Sequence, residues 1–430
     1  MPNRSPARVG RGALVLLVGV AVSLALATAP TAAVAAPPAP TAARPGVPTD
    51  RDLRAALDAV VAAGASGVSL RVDDGRRTVR LAAGAARLEP RVPMRPDARL
   101  RVGSITKTFV ATTVLQLAGE HRLSLDDAVA RWLPGLVPDG DRITLRQLLD
   151  HTSGIFDYTE DDEFLTALFA DPLREYTPRQ LVGIATSHPP NFPPGTSWSY
   201  SNTGYVILGL VVERVTHRPV AEVLHRRIIR PLHLRDTLLP TRFPDIPGYH
   251  AHGYVPPSLS DQLPPPRGVP HQYVDVTRIS PTAAGAAGAL ISNPDDLRTF
   301  YRALLSGRLL RPAQLAEMKT MVELGSGSGY GLGLYSLSTP CGQIWGHDGG
   351  IPGYVTIAWN DETGRRGLTL GLPTEIDEAI GTAFDAALTT ATCRMLGKPV
   401  PTGTTAATTA AGTRPAAHRP LRALDDKWPF

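Results

Sequence analysis

Apolar positions recur along this chain at two spacings. Over residues 50–63, Leu53, Leu57, Val60 and Val61 fall three or four apart, which predicts a helix capped by Thr49 or Asp50. Residues 68–72 and 78–81 alternate around Asp74-Gly75 and predict a β-hairpin. Helical spacing returns over 104–120, where Phe109, Val110, Val114, Leu115 and Leu117 are apolar. Leu145–Leu149, 205–215 and 220–229 predict further helices. Residues 240–270 carry repeated prolines and few apolar runs, and predict a loop region. Short β-compatible runs then return at 331–337, 343–346, 354–359 and Gly367–Leu372, with Asp361-Glu362-Thr363-Gly364 as the turn before the last. A long helix over 376–396 follows.

Strands thus come from both chain ends and helices from the middle. Hairpins imply antiparallel pairing. The predicted fold class is α+β: an antiparallel sheet built from both chain ends, flanked by helices, with an inserted all-helical region. No internal repeat interrupts this plan.

The ends have a different character. Arg4, Arg8 and Arg11 precede an uncharged, mostly apolar run over 12–27, and Ala33-Val34-Ala35 offers small residues for cleavage. Residues 1–35 read as a secretory signal peptide, with a single membrane anchor as the alternative. The run is short for a bilayer span, and no later segment is long and apolar enough to cross. Residues 36–48 read as a Pro/Ala-rich linker. Residues 401–430 read as a disordered Thr/Ala/Pro-rich tail. An exported, extracellular or cell-wall-associated protein is expected, with no stable membrane span once the signal is removed.

Charge narrows the partners. The formal net charge of +5 falls to +2 without Arg4, Arg8 and Arg11. No basic cluster carries interleaved aromatics, so a nucleic-acid partner is not expected. The two cysteines, Cys341 and Cys393, are expected to form a disulfide after export, with two free thiols as the alternative. No His-Glu-x-x-His and no paired Cys-x-x-Cys occurs, so no metal and no cofactor is expected. Gly-x-Ser-x-Gly and Gly-x-Gly-x-x-Gly are also missing, against an α/β-hydrolase or a dinucleotide site.

Candidate chemistry begins with lysine. Only Lys107, Lys319, Lys398 and Lys427 occur, against 40 arginines. Where a fixed positive charge suffices, this sequence uses Arg. A lysine differs in that burial can strip its proton. Ser104 and Lys107 stand three apart at a helix start, which places both side chains on one face. A hydroxyl nucleophile needs such a neighbouring base. The alternatives are an ordinary N-cap serine and a surface lysine. Tyr200, in Ser199-Tyr200-Ser201-Asn202, offers a phenol that can act as acid or base if a cation such as Lys107 lowers its pKa. Asn202 can donate to a substrate carbonyl. In Gly346-His347-Asp348-Gly349-Gly350, glycines allow close backbone approach and His347 could hold a charge near the site.

In order, these segments read Ser-x-x-Lys, Tyr-x-Asn and His-x-Gly. The chain resembles the penicillin-recognising serine hydrolases, in the branch of class C β-lactamases and secreted D-alanyl-D-alanine carboxypeptidases. Leu148–Gly154, Phe192-Pro193-Pro194-Gly195 and 284–290 resemble further stretches of that branch. The resemblance covers roughly residues 50–397, within an expected β-lactamase-like catalytic domain over 49–400. It implies that Ser104 forms an acyl-enzyme while Lys107 and Tyr200 move the proton. It implies that Asn202, His347, Asp348 and Gly349 bind substrate, and that the backbone amides of Ser104 and Gly350 form the oxyanion hole. The expected substrates are a cell-wall peptide or a small β-lactam, acted on by a monomer.

One position departs from the resemblance. Asp348 stands where relatives carry a hydroxyl that helps bind a substrate carboxylate. An ionised Asp there repels a carboxylate, and no Arg or Lys occurs over 331–346 to compensate. Three activities follow as expectations: a D-alanyl-D-alanine carboxypeptidase or related D-amino-acid peptidase, a β-lactamase or esterase, and a slow-turnover cell-wall binding or sensor protein.

Overall fold

The structure, a computed structural model, describes residues 46–263 and 271–401. The expected signal peptide, most of the linker and the tail from 402 onward lie outside the described residues.

Helix Asp50–Ala62 opens at Thr49, which accepts from the Asp52 amide while the Asp52 carboxylate takes the Thr49 amide. Strands Gly67–Asp73 and Thr78–Arg87 form the expected hairpin, with Leu70 opposite Leu81. They belong to a nine-stranded sheet. Its spatial order is Val92–Pro93, Thr78–Arg87, Gly67–Asp73, Gly367–Leu372, Tyr354–Asn360, Gly342–Ile351, Tyr335–Thr339, Ser328–Tyr330, Val322–Gly325. All its pairs are antiparallel, and the chain ends meet where Leu70 lies opposite Leu370. Val68, Leu70, Val72, Leu368 and Leu370 pack with Leu53 and Leu57 of the first helix and Ile380 and Phe384 of helix Glu378–Leu396. A second core, containing Phe109, Val114, Leu148, Leu208 and Phe300, holds the helical region together.

Helix Ile105–Gly119 is at the centre of that second core. All its residues except Gln116 and Ala118 are buried, so it is covered on every side and not the one-faced helix its spacing suggests. Lys107 is its only charged residue.

Some expectations change. The run 331–337 divides into a turn after strand Ser328–Tyr330 and the start of strand Tyr335–Thr339. Gly333 makes that turn at φ +74°, and a Cβ there would lie 2.6 Å from Ala111 and 2.9 Å from the Tyr205 hydroxyl. The expected strand at 343–346 extends over Gly342–Ile351. Helices Asp162–Ala170, Pro178–Thr186 and Pro294–Leu305 had no counterpart in the periodicity. Their starts were nonetheless written in the chain: Asp161, Thr177 and Asn293 each cap an open amide. Cys341 and Cys393 form a disulfide, tying the sheet to helix Glu378–Leu396 across 52 residues of sequence.

Candidate active site

Gly103 and Gly349 decide where the helix start meets the sheet. Gly103 has φ +50°, and a Cβ on it would fall 2.7 Å from the Gly350 nitrogen. A Cβ on Gly349 would fall 2.0 Å from the Val102 carbonyl oxygen and 2.9 Å from the Ser104 nitrogen. Only bare backbone lets the strand lie against the turn that carries Ser104. Ser104 ends that turn, and its side chain makes no capping bond, so its hydroxyl is not spent on the helix.

Lys107 is fully buried and lies on the same face. Its Nζ is 3.0 Å from Ser104 Oγ, 2.6 Å from Asn202 Oδ1 and 2.9 Å from the Ala287 carbonyl oxygen. Desolvation lowers its pKa to about 7, partly opposed by the charges of Asp157 and Asp348. A neutral amine donates two hydrogens and accepts one. Asn202 and Ala287 take the two, which leaves the nitrogen lone pair for the Ser104 hydroxyl. The arrangement therefore suits proton removal from Ser104.

Asn202 does more for Lys107 than was expected of it. Its Oδ1 accepts from the amine, while its Nδ2 donates to Asp157 Oδ2 at 2.8 Å and to Thr159 Oγ1 at 3.0 Å. Both amide hydrogens are committed, so the expected bond to a substrate carbonyl has no free donor in this geometry. Asp157 was missed by the sequence reading. It is buried, and desolvation raises its pKa. An acid in a chain segment rich in Asp and Glu carries no signal until burial isolates it.

Tyr200 is brought to the pair from a distant loop. Lys107 Nζ sits 4.8 Å from the centre of its ring. The phenol is buried and lacks a well-formed hydrogen bond, with Ser104 the one neighbour that favours its ionised form. Its pKa is raised well above the ordinary value, chiefly by desolvation and then by Tyr335. The expectation that Lys107 would lower it is corrected: burial sets the direction. Tyr200 is a neutral donor at ordinary pH.

His347 is also corrected. Burial lowers its pKa to about 3, so it holds no charge. Its Nε2 meets the Tyr330 hydroxyl at 3.0 Å and its Nδ1 meets the Asp348 carbonyl oxygen at 2.5 Å. Asp348 is buried beside it, and its charge acts on Lys107, Tyr200 and Tyr335.

Strand Gly342–Ile351 has a free edge at the site. Tyr335–Thr339 pairs with it only as far as Gly346, while Tyr354–Asn360 covers its other side through Ile351. Among the described residues, no strand takes the outer edge of residues 347–351. A strand edge left uncovered beside Ser104 suits an extended substrate chain.

These features together define the class of penicillin-recognising serine hydrolases: this sheet order, a helical region against it, and a Ser-x-x-Lys helix start facing Tyr-x-Asn and His-x-Gly. The chain belongs to the beta-lactamase family, whose model, described as "Beta-lactamase", matches residues 53–378. A D-stereospecific amidohydrolase from Streptomyces sp. has a solved structure that is 41% identical, with TM-score 0.70, covering 77% of this chain and 97% of that one. Penicillin-binding protein 4* of Bacillus subtilis (strain 168) is 28% identical over 64% of this chain and 60% of its own length. A D-aminopeptidase of Brucella anthropi is 29% identical over 69% of this chain and 54% of its own length. The chain thus spans less than two thirds of these two curated relatives.

Proposed function

We propose that this protein is an exported serine hydrolase that cleaves the amide of a D-amino acid carrying a free amino group, through an acyl-enzyme on Ser104. The observation that carries the reading is the Lys107 amine, dry, held by two acceptors and 3.0 Å from the Ser104 hydroxyl. In this mechanism neutral Lys107 takes the Ser104 proton as Oγ attacks the carbonyl. The backbone amides of Ser104 and Gly350 receive the developing oxyanion. Neutral Tyr200 donates its proton to the leaving nitrogen, and the Lys107 ammonium restores it. Water then releases the acid by the reverse route.

Asp348 supports the choice of substrate. A buried carboxylate attracts an ammonium and repels a carboxylate. That favours a substrate presenting an amine over a D-alanyl-D-alanine carboxypeptide, the expectation that stood first. The names of the amidohydrolase and D-aminopeptidase relatives accord with it. Export is supported by the pattern at residues 1–35 and by the disulfide; among the described residues, no helix is long and apolar enough to cross a membrane.

The test is a panel: a D-alanine anilide, its L-enantiomer, its N-acetyl form, an N-acyl D-alanyl-D-alanine peptide and a chromogenic cephalosporin. The free D-amide is expected to turn over fastest, with Ser104→Ala inactive. Preference for the acylated dipeptide would replace this substrate with a carboxypeptidase's. Turnover retained by Ser104→Ala would refute the nucleophile.

A further inference from the structure

Away from the Ser104 site, a pocket of about 510 Å³ opens between helix Pro294–Leu305, strand Gly67–Asp73 and the turn at 361–366. Arg71, Arg298, Arg302, Arg308 and Arg365 line it, against one carboxylate, Asp73. None of the groups around Ser104 contributes to its wall.

The charges of this pocket do not balance. Arg71 pairs with Asp295, and Arg298 reaches Asp73 at 3.4 Å. Arg302, Arg308 and Arg365 make no ion pair among the described residues. Desolvation disfavours the charged form of Arg298, Asp73 and Asp361 favour it, and Arg71 and Arg302 add like-charge repulsion. Holding three unpaired guanidinium groups beside two paired ones around one concavity is unfavourable unless an anion joins them.

The floor is rigid, and its donors are not saturated. Arg298 is 2% exposed. Its Nη2 donates to the Gly364 carbonyl at 2.9 Å and to the Arg365 carbonyl at 2.8 Å, which fixes the turn that carries Arg365. The Nε groups of Arg298 and Arg71 find no acceptor. Arg302 lies one turn beyond Arg298 on the same helix face, at the rim.

We propose that this pocket binds a phosphate group on a small organic residue. Guanidinium forks match phosphate oxygens in pairs, which a halide or a lone carboxylate cannot use as fully. The volume is within the range of small-molecule sites and exceeds what one inorganic phosphate fills. A phosphomonoester metabolite and one repeat of a phosphodiester polymer share this chemistry.

Calorimetric titration of the full-length protein separates these sources, using inorganic phosphate, glycerol 3-phosphate and the diester glycerophosphoglycerol as probes in moderate salt. Binding of glycerol 3-phosphate over the diester assigns a free phosphomonoester. Binding of the diester assigns a polymer repeat. In either case, the exposed double variant Arg302→Ala/Arg308→Ala is expected to lose about tenfold or more in affinity. The same variant keeps its hydrolytic rate, and Ser104→Ala keeps wild-type binding. The proposal is overturned if no probe binds, if inorganic phosphate binds as well as both esters, or if the double variant binds them like wild type.

Discussion

His151 holds Tyr200 from both sides. The Ser199 amide donates to the His151 carbonyl at 3.1 Å, and the Ser201 amide donates to His151 Nδ1 at 3.1 Å. The two rings lie 4.2 Å apart between centres. Desolvation keeps His151 well below its ordinary pKa, so Nδ1 is free to accept. His151 itself adopts φ +65°, a conformation that few side chains tolerate. The stretch Leu148–Gly154 therefore acts as a clamp that aims a phenol.

His151→Ala should cut kcat by about 10²-fold with a smaller change in KM, since a misaimed acid loses rate before binding. His151→Asn should recover part of the loss, because its carbonyl can accept from the Ser201 amide. Steady-state kinetics beside a circular-dichroism melt checks this. Equal losses in both variants would remove the clamp role.

Lys107 should set the acid limb of kcat/KM. Its pKa of about 7 is below the unperturbed value of 10.5, so activity requires the neutral amine and falls as pH drops through about 7. The sign for stability is separate. Between those two values the unfolded chain binds the proton and the folded one does not, so this group's contribution rises with pH across that window. Lys107→Arg should be inactive at every pH, because guanidinium stays charged. A pH profile that is flat from 5 to 9 would exclude Lys107 as the base.

Asp157→Asn should move that acid limb to lower pH. Asp157 raises the Lys107 pKa, so its removal lowers it further. The Asn side chain still offers a carbonyl to Asn202 Nδ2, which keeps the Asn202–Lys107 contact in place. A limb that stays put, with only kcat reduced, would leave Asp157 a purely structural role.

Asp348→Thr should exchange substrates. Removing the carboxylate lifts the repulsion of a substrate carboxylate, so activity on N-acyl D-alanyl-D-alanine should rise about tenfold or more. Activity on the free D-amino amide should fall in the same variant. Parallel kcat/KM values on both substrates read the exchange directly.

Removing both cysteines, as Cys341→Ser/Cys393→Ser, should destabilise the protein while leaving the site geometry intact. The bridge closes 52 residues of sequence, which corresponds to about 4 kcal/mol in the chain-entropy description. Denaturant unfolding measures it. A loss below about 1 kcal/mol would mean that the closing helix is held by packing alone.

Periodicity was enough for the strands at the centre of the sheet and its two covering helices. Leu53 and Leu57 declare their helix by spacing, because one face of it is buried and the other is not, while Val68, Leu70, Leu368 and Leu370 mark short apolar strands that are covered on both faces. It failed in the helical region, where helix Ile105–Gly119 is buried on every side and short helices carry more signal in their caps than in their stripes.

By itself, the sequence singled out the candidate residues for the chemistry. A scarce lysine three positions after a serine, a Tyr-x-Asn and a glycine-rich strand can be read without coordinates, since local spacing fixes what one helix turn or one loop presents. Tertiary structure alone decided the protonation of those residues and their contacts. Burial lowered the Lys107 pKa to about 7 and kept Tyr200 and His347 neutral, and the fold set Asn202 between Lys107 and Asp157. Desolvation and charge depend on what surrounds a group in space, and those neighbours come from segments that the chain keeps far apart.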